Sequence, residues 1–398
     1  MYHFVHEFTI LAHMALAEDN LDEIKKRVFD AYQKEEPILK KFREYARRIR
    51  NDVKPIRPYS VNAVSFVSSD GGDNRLYFNP AVIELVRVVD SRGNQCALDA
   101  LAGNTKSEDF NKRAEEGNSL IVKPLRKLCN DLRMDVLDLS YLLSSIDKPG
   151  KSTGAVRVYR DIVEWAVLYD LFKYNDWGSD TIIVREGMLR TKSFKLSVFP
   201  KFDTLIKEAY QKHKKKNVTV SMVGVAKQSA VLSRLSVALE LEATMHKPYP
   251  CYVKVPDDIE ADCYNFDRTW LDTYESTEPN EDGEHRYQAM GKMYLVKFGD
   301  RSFDPVWPVD IAEWQEKDAE KIIGQLTQDA RPGFPIPDFP MCVQKAHDFA
   351  KVNGLEVSIL QDILFEGINQ NLTADEKEKV LRIKHLGQNL TNIRYRNA

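Results

Sequence analysis

Residues 61–78, VNAVSFVSSDGGDNRLYF, carry the reading that decides the fold. An apolar, β-branched run meets Asp70-Gly71-Gly72, and a second run ending in Leu76, Tyr77 and Phe78 follows. The pattern predicts a strand, a Gly-rich turn and a second strand. VIELVRVVDSRGN (82–94) predicts a third strand that ends in a turn. GAVRVYRDIVEWAVLYDLFKYN (154–175) is long, unbroken and rich in large apolar residues, and predicts a helix. DTIIVREGMLRT (180–191) then gives a short β-branched strand with Glu186-Gly187 at its end. A helix over 202–216, a strand in NVTVSMVGVAKQS (217–229) and a helix over 229–243 complete the pattern. Strands alternating with helices in this order predict an α/β fold with a mixed sheet flanked by helices.

Outward from that centre the chain changes character. Residues 18–52 are highly charged, with Leu21, Ile24, Val28, Tyr32 and Ile38 at near-helical spacing, and Pro55 and Pro58 end the run. This predicts an N-terminal helical arm or partner-binding helix. Residues 257–284 are acidic, with Arg268 the one Lys or Arg among them, and read as an insertion or long loop. A strand MYLVKFG (293–299), a Pro-rich loop (330–340), a helix over 341–352 and a helical tail follow.

At 398 residues the chain is long enough to bury a sizeable core without staples. Its net charge of −3 means that any DNA-binding surface is a local patch, not a property of the whole chain. Cys96, Cys129, Cys251, Cys263 and Cys342 are scattered and form no CxxC pair, which argues against a zinc site and a disulfide framework. The first residues lack the basic start and cleavage site of a signal peptide, and no apolar run reaches membrane-spanning length. A cytoplasmic protein with no membrane association is the expectation. GKST at 150–153 resembles the end of a phosphate-binding loop, but Ser145 stands where that motif needs glycine, so no ATP binding is predicted.

Three carboxylates sit where a metal-dependent nuclease needs them. Asp70 ends the first strand beside two glycines, Glu164 shares a helical stripe with Asp161, Leu168 and Leu171, and Glu186 ends the strand after that helix. Carboxylates gathered at strand ends repel one another, and Mn²⁺ or Mg²⁺ resolves the conflict because hard cations take oxygen ligands. Two such ions about 3.5–4 Å apart activate water and stabilise the leaving oxygen of a phosphodiester. Acid on strand one, Glu on a helix, acid on the next strand is the order of an RNase H-type fold. Each residue also has an ordinary reading: Asp70 as a turn residue, Glu164 as a solvated helix residue, Glu186 as an unremarkable strand-end acid.

SFVSSDGG resembles the first motif of the NurA family, a strand running into Asp-Gly-Ser, with Gly72 where Ser is usual. TIIVREGMLRT resembles the second, usually Asp-Gly-Pro-Leu, with Glu186 in place of Asp. MVGVAKQS resembles the strand ending Gly-Val-x-Lys-x-Ser, and RPGFPIPDFPMCVQKAHDFAKV the C-terminal Gly-Tyr-Pro…Ala-His segment. The matches occur in family order over about residues 60–352. The resemblance implies a Mn²⁺- or Mg²⁺-dependent deoxyribonuclease acting on DNA ends as a homodimer, with a HerA-type hexameric ATPase, in DNA repair or anti-phage defence. By motif position Asp70, Glu164 and Glu186 are the implied metal ligands. His347 would complete the site, with Asp348 a neighbouring candidate, and Lys227 would contact phosphate. The implied layout is an N-terminal arm (1–55), an RNase H-like nuclease core (56–256 and 290–355), an acidic insertion (257–289) and a C-terminal helical tail (356–398).

Alternatives stay open at this level. His347 also reads as a structural histidine and Lys227 as a solvated lysine. The basic run Lys212–Lys216 reads either as a helix-dipole complement or as a phosphate-tracking patch. Glu186, one methylene longer than the family's Asp, and the acidic insertion both admit a catalytically weak or inactive scaffold that docks on the ATPase and regulates it. An enzyme of the same type cutting RNA would use the same carboxylates.

Overall fold

The computed structural model describes residues 18–57, 64–78, 81–102, 104–115, 123–144, 152–195, 197–247, 249–265, 288–351, 354–370 and 372–379. In chain order the elements are α1 (Glu18–Arg50), β1 (Lys54–Pro55), β2 (Ser65–Phe78), β3 (Ala81–Asp90), β4 (Gln95–Ala102), α2 (Ser107–Glu115), α3 (Lys123–Leu132), α4 (Val136–Leu139), α5 (Tyr141–Ser144) and α6 (Ser152–Lys173). There follow β5 (Thr181–Glu186), β6 (Arg190–Thr191), α7 (Phe199–Lys215), β7 (Val220–Val225), α8 (Ala230–Leu241), β8 (Cys251–Lys254), α9 (Asp257–Asn265), β9 (Gln288–Ala289), β10 (Gly291–Lys297) and β11 (Trp307–Ala312). A 3₁₀ turn (Glu313–Asp318) leads to α10 (Ala319–Ala330), α11 (Met341–Ala350) and α12 (Gly354–Asn369). Nine strands form one mixed sheet in the order β1-β8-β10-β11-β7-β5-β2-β3-β4. Among the described residues no helix is long and apolar enough to cross a membrane.

The chain divides into two compact units, one drawn from residues 1–68 and 168–344, the other from 69–167 and 345–398. In the first, β5 and β7 run parallel with Glu186 opposite Val225, while β7–β11, β11–β10, β10–β8 and β8–β1 are antiparallel. β7 is buried along its whole length and β5 over its first four residues. Their sequences, TIIVRE and VSMVGV, are accordingly near-continuous apolar runs, because a parallel strand covered on both faces has no polar side. Alternation along β10 separates the two cores. Tyr294 and Val296 join a cluster with α10 and the start of α11, whereas Met293 and Leu295 join one with α1, α8 and α9.

Two sequence expectations change here. The acidic stretch from 257 begins as a packed helix, because Ile259 and Cys263 of α9 are fully buried in the cluster with α8; residues 266–287 lie outside the described residues. The arm is half anchored. Phe42, Ala46 and Ile49 of α1 are core residues, while Ile24, Val28, Phe29 and Tyr32 are exposed.

In the second unit β2, β3 and β4 form an antiparallel meander, with Asp70 opposite Val89 and Gly72 opposite Arg87. β2 runs unbroken through Gly71 and Gly72, so the expected Gly-rich turn is strand. The glycines answer crowding, not turning. A Cβ on Gly71 would lie 2.1 Å from Glu164 Oε1, and one on Gly72 would lie 2.4 Å from the Ala350 carbonyl oxygen. The α6 portion in this unit buries Tyr159, whose hydroxyl donates to Asp99 at 2.8 Å and whose ring lies 4.9 Å from Phe110. Half of the GKST segment, residues 150 and 151, is outside the described residues; Ser152 opens α6.

Candidate functional site

Within the second unit two of the residues singled out in the sequence, Asp70 and His347, come together. Asp70, midway along β2, has a side chain only 12% exposed; its Oδ1 accepts from the Gly71 N–H at 2.8 Å and its Oδ2 lies 2.8 Å from His347 Nδ1. An ionised carboxylate can only accept, so toward Asp70 the Nδ1 of His347 is the donor. His347 is carried on α11, where Ala346 and Ala350 are buried and His347 remains 41% exposed. Glu164 faces inward as its stripe predicts. Its neighbours Leu168 and Leu171 are buried, its carboxylate fills the side-chain position of Gly71, on the strand face opposite to the Asp70 side chain, and Arg160 Nε stands 3.3 Å from its Oε1. Arg160 was missed in the sequence, although a basic residue four positions before a glutamate on one helix face is a readable signal. Asp348 is not part of this cluster: its side chain is 59% exposed and pairs with Lys351 at 3.0 Å.

Within the first unit Glu186 ends β5, and Lys227, just beyond β7, places its Nζ 2.7 Å from Glu186 Oε1. The same ammonium lies 5.9 Å from the centre of the Phe339 ring. The backbone that holds this pair is tightly built. Gly187 has φ of +108°, a conformation open to glycine, and its N–H donates to Val225 O at 2.9 Å. A Cβ on Gly224 would lie 2.6 Å from Gly187 O and 2.7 Å from Leu189 N, so only glycine lets β7 approach the turn after Glu186.

That turn is fixed by an ionic group with no obvious sequence signal. Asp310 on β11 is fully buried; it accepts from Leu189 N–H at 2.9 Å and from Arg190 Nε and Nη2 at 2.8 and 2.6 Å. Arg190 Nη1 also reaches Glu260 Oε1 at 2.5 Å, and its guanidinium lies 5.1 Å from the Tyr264 ring centre. Burial pushes the Glu260 carboxyl up from its ordinary value, against the pull of Arg190.

The basic run at the end of α7 is partly structural. His213 is buried with Nε2 2.6 Å from Phe172 O, and Lys216 pairs with Asp176 at 2.7 Å, holding that carboxyl below its usual range.

No family model matches the chain, and no curated protein matches it. Among solved structures it is similar to the NurA nuclease from Sulfolobus solfataricus, at 13% identity over 89% of this chain and 98% of that one, with a TM-score of 0.39. A second NurA structure shows 15% identity over 91% and 100% of the two chains, with a TM-score of 0.40. A NurA bound to dAMP and manganese shows 14% identity over 92% and 99%, with a TM-score of 0.37.

Proposed function

We propose that the chain is a divalent-metal-dependent deoxyribonuclease that hydrolyses phosphodiester bonds at DNA ends. The observation that carries this reading is the pair on β2 and α11, where the largely buried Asp70 carboxylate meets His347 at 2.8 Å. In this reading Asp70, Glu164, Glu186 and His347 hold Mn²⁺ or Mg²⁺. Carboxylate oxygens and an imidazole nitrogen are a donor set that suits these ions. When bound, the metal supplies an activated water and charge stabilisation of the leaving oxygen. The chain's own contribution is orientation. The Gly71 N–H and the His347 ring fix both oxygens of Asp70, and Arg160 restrains Glu164. Lys227, held beside Glu186, is the group proposed to meet a substrate phosphate.

The motif resemblance further supports DNA as substrate, assembly as a homodimer and work with a HerA-type hexameric ATPase, in repair or anti-phage defence. It also supports the layout of a nuclease core with an N-terminal arm, an insertion around 257–289 and a C-terminal tail. A second reading is favoured by one observation. The ammonium of Lys227 already neutralises Glu186, as it would in an inactive scaffold that docks on the ATPase and regulates it.

Purified protein and an Asp70→Ala variant, incubated with labelled linear DNA and Mn²⁺, with and without a HerA-type ATPase, separate the two. Cutting by the wild type that is lost in the variant is the expected result. Absence of cutting by both, with an active motor shown to be bound, sinks the nuclease reading and leaves the scaffold.

A further inference from the structure

Phe303 and Phe334 are each 78% exposed, more than any other large apolar side chain among the described residues. One exposed apolar residue is ordinary, but these two stand on loops of one unit that are tied together. Asp300, in the loop between β10 and β11, pairs at 3.3 Å with Arg331, in the loop between α10 and α11. Gly299 is crowded by both loops, and a Cβ there would lie 2.1 Å from Asp304 Oδ2 and 2.6 Å from Asp338 Oδ2. Each ring rides on a backbone that is pinned. The Arg301 N–H donates to Asp304 Oδ2 at 2.7 Å and the Asp304 N–H to Arg301 O at 3.3 Å, which closes the turn that carries Phe303. The Phe334 N–H donates to Met341 Sδ at 3.3 Å. Just beyond it the buried Gln344 amide accepts from the Ile336 N–H at 2.8 Å and donates to the carbonyls of Ile336 and Phe339 at 3.0 and 2.8 Å. Ordered loops that hold two aromatic rings out in water are suited to binding.

The neighbours narrow what binds there. Phe339, further along the same loop as Phe334, has the Lys227 ammonium 5.9 Å from its ring centre, and that ammonium is the group proposed to meet a substrate phosphate. The Arg301 guanidinium lies 5.8 Å from the centre of the Phe303 ring. Aromatic faces interleaved with cations grip unpaired nucleic acid, because bases stack on the rings while the cations attend to the backbone. We propose that Phe303 and Phe334 form a stacking platform for the unpaired bases of a DNA strand end whose phosphate meets Lys227. In a duplex each base is already stacked between its neighbours, so the two rings favour single-stranded DNA over paired DNA. Every base has a π-face, so the grip does not depend on sequence. The inference rests on the proposed action at DNA ends and adds the strand state that the site prefers and the residues that set it.

The test is fluorescence anisotropy of the full chain in EDTA, where binding is read without cutting. The probes are a labelled single strand of mixed sequence, the matching blunt duplex, and a strand of equal length whose sugars carry no bases. The single strand is expected to bind more tightly than the other two. Phe303→Ala and Phe334→Ala are each expected to weaken it by about five- to a hundredfold, the scale of one base–aromatic stack, and to leave the duplex and the abasic strand nearly unchanged. Phe303→Trp and Phe334→Trp should bind the single strand at least as well as the wild type, since the larger ring also stacks. Both side chains lie in water, so the alanine variants are expected to melt as the wild type does. No binding of the single strand, or equal affinity for strands with and without bases, overturns the proposal. Undiminished single-strand binding in the double alanine variant overturns it as well, and loss of self-association or of ATPase binding in that variant would then mark the patch as a protein contact. Cleavage is read separately. A chain that cuts DNA in Mn²⁺ without base-dependent binding sinks the platform alone, and a chain that binds through the two rings but never cuts sinks the nuclease reading alone.

Discussion

Asp310 is fully buried, and all three hydrogen bonds shown at its carboxylate come from Leu189 and Arg190, just beyond the end of β5. Removing it strands the Arg190 guanidinium in the interior. Asp310→Ala is therefore expected to cost about 3–5 kcal/mol, read from denaturant unfolding, because breaking a buried pair leaves one charge uncompensated. Glu260 is the weaker partner. Its carboxyl is raised above the ordinary 4.5 by burial, so its contribution to stability is present below that pH and is lost as pH rises through the raised value. Glu260→Gln should remove that loss, giving a flatter curve of unfolding free energy against pH than the wild type. Gly224 is tested by a single methyl. Gly224→Ala drives a Cβ into the backbone of Gly187 and Leu189, and a loss of about 1–3 kcal/mol is expected. Gly178→Ala, where a Cβ meets nothing within 4 Å, should be near neutral in the same melt.

α1 is held to its unit by ion pairs as well as by its core residues. Arg43 and Arg47 both bind Glu242, at 2.6 and 2.8 Å, and Arg48 binds Asp258 at 2.5 Å. Glu242 stands at the C-terminal end of α8, where the helix dipole disfavours an acid, and the two guanidinium groups hold its carboxyl down at about 2. A depressed carboxyl stabilises above its unfolded value and loses that contribution as pH falls through the folded one. Protection factors across residues 42–50, taken relative to intrinsic exchange at each pH, should therefore fall between about pH 4.5 and pH 2, ahead of those of β7. Unchanged protection of α1 over that window would show that its apolar contacts alone hold it. The helical period and the terminating prolines made α1 legible in the sequence, and β5, β7 and α6 were legible from unbroken apolar runs. The anchor on Glu242 was not, since it lies 195 residues from Arg47 and no local pattern links them. β2 was read as two strands around a turn because Gly-Gly usually signals one, and the crowding by Glu164 and Ala350 that explains the pair exists only after folding.

For the molecule as a whole, a metal that binds the folded chain and not the unfolded one raises stability by mass action, about 2.7 kcal/mol at a hundredfold excess over Kd. Mn²⁺ is expected to raise the Tm of the wild type and to leave Asp70→Ala much closer to its metal-free value; equal shifts in both would place the ion elsewhere. The inward stripe marked Glu164 in the sequence, whereas Asp70, in mid-strand, and His347, half exposed inside α11, were singled out only by chemical type and motif position. Asp310 and Arg190 were not, because a buried ion pair leaves no periodicity and its partners sit on different strands. The contact between Gly71 and Glu164 also reaches beyond this one chain. A methyl at 71 has room only if the acid at 164 swings aside or is shortened, so the two positions are expected to change together in descent. Relatives that carry Ala or Ser at 71 should carry Asp or a smaller residue at 164, and an alignment in which the two positions vary independently would count against the contact.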